Sequence, residues 1–354
     1  LHLSIRRQRQ MCIRDSLRIQ HGDTHVIGLW LENGQLTLNT TLPAPVPLVN
    51  EALVRVVQAG ICNTDLELIR GYYPYTGVLG HEFVGVVEQA PTGFEHLEGH
   101  RVVGEINAAC GNCNACDAGR ETHCGNRTVL GILGRQGAFA EYLTLPARNL
   151  HTLPDSVPDE VAVFTEPLAA ALQIQEQITL HQKDRVLVVG DGKLGQLIAR
   201  TLHQTGCYLC VAGRHKNKLA MLSNLGINTF LVSRTASVDL EQINQLRNFD
   251  VAIECTGNTE GFGLAMRALR PRGMLVLKST YTDRLTLDIS SLVVDEITLV
   301  GSRCGPFKPA IQLLRDGTVP VKELIAYRYP IAAGLTAFDR AQKSGTLKVL
   351  LQIS

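Results

Sequence analysis

The sequence predicts a two-domain α/β protein in which a doubly wound parallel sheet is joined to a mostly β region carrying a cysteine-rich lobe. Three observations predict it. The 354 residues exceed what one hydrophobic core usually organises. Short strand patterns separated by glycine and proline turns run from about Trp30 to Leu143. From about Thr165 onward, apolar strand runs alternate with helical patterns, the order expected of a parallel sheet with crossover helices.

Taken in order, Leu1 to Ser16 carries four arginines, one aspartate and no sustained periodicity. It reads as a disordered or artefactual leader outside the fold, a transit peptide being the alternative. The β region shows alternation or apolar runs at Leu53–Val57, Val84–Val87 and Ala140–Leu143. Thr165-Glu166-Pro167 then offers a cap and a first-turn proline to a helical run from Leu168 to Ile178. Val186–Val189 is wholly apolar, as a parallel strand buried on both faces should be. Leu194, Leu197, Ile198 and Leu202 follow on one helix face, and Gly206 is placed to end that element. Further strands are expected at Tyr208–Ala212, Thr229–Val232, Val251–Glu254, Met274–Leu277 and Ile297–Val300, giving six in all. A helix is expected near Ala310–Arg315 in the tail.

The formal net charge of +1 argues against a dedicated nucleic-acid binder, which needs a basic surplus to neutralise phosphates. No apolar run reaches the roughly eighteen residues of a membrane span, so a cytoplasmic protein is expected. Ten cysteines without a recognisable secretory leader suggest reduced, metal-binding thiols rather than disulfides.

Cys110, Cys113, Cys116 and Cys124 form C-x-x-C-x-x-C-x7-C in a glycine- and asparagine-rich stretch. Four thiolates this close can surround one tetrahedral zinc with no position left for water, which makes the site structural. The segment from Asn107 to Arg127 has few large apolar residues, so metal ligation would supply folding free energy that its core cannot. Four unligated thiols and a ferredoxin-like cluster are the competing readings, and the spacing fits them less well. Cys207, Cys210, Cys255 and Cys304 read as core. Although Cys207 and Cys210 are spaced as C-x-x-C, residues three apart on a strand point to opposite faces.

Gly190-Asp191-Gly192-Lys193-Leu194-Gly195 is G-x-G-x-x-G after an apolar strand and before an amphipathic helix, the context of a dinucleotide-binding loop. Gly190, Gly192, Leu194 and Gly195 are therefore expected at the pyrophosphate. An NAD enzyme should present a carboxylate about twenty residues later. Here the second strand runs into Arg214, His215, Lys216, Asn217 and Lys218, and no carboxylate follows Asp191 until Asp239. Arg214, His215 and Lys218 are accordingly assigned to a 2′-phosphate, which predicts NADP, with NAD the alternative. Thr256, Gly257 and Ser279 lie at strand ends, where an open α/β sheet places its ligand.

Cys62, within Gly60–Asp65, precedes Gly80-His81-Glu82-Phe83 by nineteen residues at the histidine. Alone, each would pass for an ordinary core residue. Together with the cysteine lobe, the α/β half, Gly137–Tyr142, Thr165–Ala169 and the closing Leu347–Leu351, they resemble the medium-chain dehydrogenase/reductase family of zinc-dependent alcohol dehydrogenases. The resemblance covers nearly all of the chain after residue 26. It implies a Rossmann dinucleotide domain over 166–302 and a GroES-like catalytic domain over 17–165 and 303–354.

It further implies a catalytic zinc on Cys62 and His81 with carboxylate help from Glu82, Glu166 or both. Such a set leaves an open position where the metal acts as a Lewis acid on a substrate alcohol. Asp65 is implied as the partner that orients the ligand histidine, and Thr64 as the hydroxyl that takes the substrate proton. Glu67 stands where many of these enzymes carry a relay histidine, and reads as a relay or as a surface residue. Leu68, Tyr72, Tyr73 and Tyr75 are candidates for a pocket wall or for simple packing. The expected activity is hydride transfer between an alcohol, polyol or sugar hydroxyl and NADP by a homodimer or homotetramer with two zincs per chain. A narrow biosynthetic carbonyl reductase and a non-catalytic zinc- and nucleotide-binding protein are the alternatives.

Overall fold

The computed structural model describes residues 25–232, 246–281, 285, 287 and 289–354. The leader expected over Leu1 to Ser16 lies outside them. The described residues divide into two compact units, one running from residue 25 to 163 with 325–354 and the other lying within 164–324.

The first unit opens with β1 (His25–Glu32) and β2 (Gln35–Pro43), an antiparallel hairpin. Then come β3 (Glu51–Ile61), α1 (Asn63–Ile69), β4 (Gly77–Val78), β5 (Glu82–Gln89) and β6 (Arg101–Gly104). β3 is buried along most of its length and pairs antiparallel with β5, so two nearly continuous apolar strands form the middle of the unit. β7 (Asn107–Ala108), α2 (Asn114–Asp117), β8 (Thr128–Leu130) and β9 (Gly134–Arg135) make up the cysteine lobe and its base. β10 (Tyr142–Pro146) returns along β3, β11 (Leu150–Thr152) pairs with β6, and α3 (Asp159–Ala162) closes the segment. The core gathers Leu29, Leu31, Val54, Ile61, Leu79 and Phe139, with Phe139 edge-on to Phe338 at 5.6 Å.

The second unit begins with α4 (Thr165–Gln177). Thr165 is its first helical residue and not its cap. Phe164 holds that place in a helical conformation because the chain enters straight from α3, and Pro167 consequently falls beyond the first position. β12 (Arg185–Val189), α5 (Lys193–His203), β13 (Tyr208–Gly213), α6 (Lys216–Ser223), β14 (Asn228–Leu231), β15 (Phe249–Glu254), α7 (Thr259–Ala268), β16 (Leu269–Leu277), α8 (Ile289–Val294) and β17 (Thr298–Gly301) follow. They form a six-stranded parallel sheet in the order β14-β13-β12-β15-β16-β17. The strand order reverses between β12 and β15, and that switch point is where an open α/β sheet takes its ligand.

α9 (Phe307–Arg315) packs on α4 and belongs to the second unit. The chain therefore returns to the first unit at Ile325 and not near residue 303, since the apolar face of α9, with Phe307, Ala310, Ile311 and Leu314, is buried there. β18 (Ile325–Pro330), α10 (Gly334–Ala341) and β19 (Lys348–Gln352) complete the chain, and β19 lies antiparallel against β3. Cys207 and Cys210 are buried as expected, whereas Cys255 and Cys304 are half-buried at strand ends.

Candidate active site and cofactor loop

Cys62 stands where β3 passes into α1, and three residues later Asp65 turns back on it. Asp65 Oδ2 accepts from the Cys62 amide at 2.8 Å, satisfying an open donor at the helix start. Its other oxygen lies 3.2 Å from His81 Nδ1, just ahead of β5. One buried carboxylate thus holds the Cys62 amide and sets its charge beside His81 Nδ1, so that Nε2 is the nitrogen turned to any further partner. Burial opposes charge on the His81 ring, yet Asp65 and Cys62 outweigh it and hold the ring well above its ordinary value. A divalent cation would meet the same negative surroundings in place of the proton.

Glu82 is fully buried. Its Oε2 accepts from Lys348 Nζ on β19, and a side chain at Gly60 would sit 2.5 Å from that oxygen, so glycine is needed there to admit the carboxylate. Oε1 has no hydrogen-bond partner. A buried carboxylate oxygen without a donor is costly, on the order of 1–3 kcal/mol or more. The ligand atoms of Cys62, His81 and Glu82 all lie within 4.8 Å of one another. Thiolate, imidazole and carboxylate are a donor set suited to zinc, and the unpaired oxygen fits such an ion.

Thr64 Oγ1 is 3.8 Å from Cys62 Sγ. Glu67 is half-buried and paired with Arg70 at 2.7 Å, which ties it to the surface. Leu68 is core, Tyr72 and Tyr73 are exposed, and the Tyr75 hydroxyl donates to the carbonyls of Val78 and Arg135. Glu166 is not in the trio. It lies in the first turn of α4, in the second unit, and its charge acts on Lys278. Burial draws the Lys278 ammonium down to about 8, opposed by Cys304 and Glu166, and the group donates to Ala170 O at 2.6 Å and Ser302 Oγ at 3.2 Å.

In the cysteine lobe, the sulfur of Cys124 lies 3.4 Å from that of Cys110 and 3.7 Å from that of Cys113, while Cys116 is 3.6 Å from Cys113 and 4.0 Å from Cys110. A tetrahedron of sulfurs ~2.3 Å from zinc has edges of about 3.8 Å, so the four fit one ion. The Cys110 amide donates to Cys124 Sγ and draws that thiol down to about 6, readying a thiolate for the metal.

At the switch point, a side chain at Gly195 would lie 2.1 Å from Gly190 O and one at Gly190 would lie 2.9 Å from Cys255 Sγ, whereas the space beside Gly192 is open. The loop is therefore closed on its inner side and open above the start of α5, where Leu194 and Gly195 present first-turn amides, as a pyrophosphate cradle requires. Arg214 is exposed at the end of β13. Lys218 is buried, which lowers its ammonium below the ordinary value against the attraction of Asp191. The cationic cluster also contains a carboxylate that a reading by sequence distance misses: Asp191 reaches over β13 and accepts from the backbone and ring of His215.

Thr256 and Gly257 wrap a second carboxylate. Glu254 Oε1 accepts from the Thr256 amide and hydroxyl at 2.5 Å each and from the Gly257 amide at 3.1 Å, and Oε2 accepts from Tyr281 at 2.5 Å. Ser279 stands beside Gly257. Sequence reading passes over Glu254 and Lys348, although both carry the same signal: a charge inside an apolar strand run must have a built partner.

Two family models match the chain, the alcohol dehydrogenase GroES-like domain over residues 49–155 and the zinc-binding dehydrogenase over residues 194–316. Sorbitol dehydrogenase of Halalkalibacterium halodurans is 28% identical over 87% of this chain and 93% of its own. L-threonine 3-dehydrogenase of Chelativorans sp. is 31% identical over 77% of this chain and 80% of its own. Among solved structures, a Sinorhizobium meliloti zinc-binding dehydrogenase bound to NADP is 25% identical with a TM-score of 0.85, over 94% of this chain and 100% of that one. An Escherichia coli alcohol dehydrogenase complexed with NADH matches with the same identity and TM-score, over 93% and 100%. With both domains matched and the metal-type clusters in place, the chain belongs to the medium-chain dehydrogenase/reductase family, as an alcohol-dehydrogenase-like, zinc-binding oxidoreductase.

Proposed function

We propose that the protein transfers a hydride between an alcohol, polyol or sugar hydroxyl and NADP, with a reactive zinc on Cys62, His81 and Glu82 and a structural zinc on Cys110, Cys113, Cys116 and Cys124. The observation that carries this reading is the buried Glu82 Oε1, which has no donor and lies in one cluster with a cysteine sulfur and an imidazole. Zinc held there supplies Lewis acidity toward a substrate oxygen. Asp65 fixes the tautomer of His81, Lys348 holds Glu82 in place, and the Thr64 hydroxyl beside Cys62 accepts the substrate proton.

Arg214, exposed at the end of β13, supports NADP, since a guanidinium can grip a 2′-phosphate with two parallel hydrogen bonds. β17, an edge strand among the described residues, and exposed Ile289, Val293, Val294 and Leu299 support self-association as a dimer or tetramer. No helix among the described residues is long and apolar enough to cross a membrane, in keeping with a cytoplasmic enzyme.

Zinc content and a screen of alcohols, polyols, sugars and aldehydes with both cofactors test the proposal together. Two zincs per chain and turnover that favours NADP are expected, with Arg214→Ala harming NADP use far more than NAD use. One zinc per chain, or a fully loaded protein inert toward every compound, would leave only a binding protein.

A further inference from the structure

The second residue of the glycine loop does something that the glycine spacing does not require. β12 and β13 run parallel with Val189 opposite Ala212, and the Gly190 amide donates to Ala212 O, so Asp191 emerges beside Gly213. The Asp191 side chain lies across that glycine: a Cβ at Gly213 would be 2.4 Å from Oδ2 and 2.5 Å from the Asp191 Cβ. Oδ2 accepts the His215 amide at 2.7 Å and Oδ1 faces His215 Nδ1 at 2.9 Å, with the carboxylate only 6% exposed. Lys218, buried on the first turn of α6, also interacts with it through charge. A nearly buried carboxylate has thus been built into the end of β13, the place where a dinucleotide-binding sheet distinguishes a ribose 2′-hydroxyl from a 2′-phosphate.

We propose that Asp191 and His215 work as one specificity element, in which the amide and ring of His215 occupy the carboxylate and so allow a 2′-phosphate to approach Arg214. With Nδ1 committed to Asp191, the ring meets its surroundings through Nε2. Remove the imidazole, and Asp191 keeps the His215 amide and the Lys218 charge but turns an oxygen without its ring donor toward the cofactor, where it repels a phosphate and suits a hydroxyl. Both residues are positioning residues in this account, and Arg214 provides the direct contact. The account rests on the nicotinamide-cofactor reading above and deepens it.

A double-mutant cycle with adenosine 2′,5′-bisphosphate and ADP as calorimetric probes tests it on the zinc-loaded protein, without catalysis. His215→Ala should weaken the bisphosphate by about tenfold or more while leaving ADP nearly unchanged. Asp191→Asn keeps an oxygen for the His215 amide, and in that background His215→Ala should lose most of its effect. A loss confined to the bisphosphate, with ADP binding kept, is a response that a merely structural role would not give. His215→Asn, which puts a favoured residue at the N-cap of α6, replaces alanine if the latter melts early. Equal losses from His215→Ala in both backgrounds, or no change in the ratio of the two ligands, overturn the proposal. A wild type that favours ADP overturns the NADP reading instead, and the cycle still reports whether Asp191 and His215 are coupled.

Discussion

Lys348 and Glu82 meet over Gly60, so that the last strand of the chain holds a carboxylate of the candidate metal site across β3. Both charges are almost wholly buried. Each therefore depends on the other, because an ion left alone in a dry interior has no water to replace its partner.

Lys348→Met should consequently lower stability by about 3–5 kcal/mol, the usual cost of stranding one member of a buried pair. Glu82→Gln/Lys348→Met should lose less than the two single changes added together. Urea unfolding of the four proteins measures this, and strict additivity would mean that the two side chains do not support one another.

Asp65 divides its two oxygens between the Cys62 amide and His81. Asp65→Asn preserves an acceptor for the amide and removes the charge that faces the ring. Zinc affinity at the trio should fall about 10- to 100-fold, as for other residues that orient a ligand histidine. Under mild chelation, zinc should drop from two per chain to one, with the cysteine lobe still loaded. A variant that retains both ions as firmly as the wild type would count against His81 as a ligand.

These long-range links mark the limit of what the sequence reveals. The apolar run Val186–Val189 and the helical face of Leu197, Ile198 and Leu202 are local patterns, and the sheet they announce forms around them. The four lobe cysteines are equally local. Lys348 and Glu82 lie 266 residues apart, and only the antiparallel registers of β19 and of β5 on β3 bring them together. Asp191 carries the same lesson at shorter range. Counting along the chain from it finds no carboxylate at the end of β13, whereas in space Asp191 is itself that carboxylate. The boundary near residue 303 fails for a related reason: nothing local in α9 says that its apolar face belongs on α4.

The lobe and the trio should respond differently to loss of a thiol. Cys124 is buried, and its sulfur contacts those of Cys110 and Cys113, so Cys124→Ser should cost one zinc and a large drop in Tm. Cys62→Ser should also cost one zinc and should abolish turnover, with a smaller change in Tm, because the strands around Cys62 are packed by their own core. Metal analysis beside thermal melts reads both, and equal melting losses would deny the lobe a structural role.

Acid stability should depend on Glu51, at the start of β3. Burial raises this carboxyl, but Arg135, whose Nη2 lies 2.6 Å from Glu51 Oε1, outweighs it and holds the group below its ordinary 4.5. A depressed carboxylate stabilises the fold above its unfolded value, and that contribution disappears as the pH falls through 4.5 and on past the lower folded value. Glu51→Gln should therefore melt below the wild type at neutral pH, and the two melting curves should converge in acid as the native carboxylate takes up its proton. Melts at fixed zinc between about pH 7 and pH 3 test this, with loss of metal in acid common to both proteins. If the gap between the curves stays constant over that range, the Glu51–Arg135 pair contributes nothing that titrates.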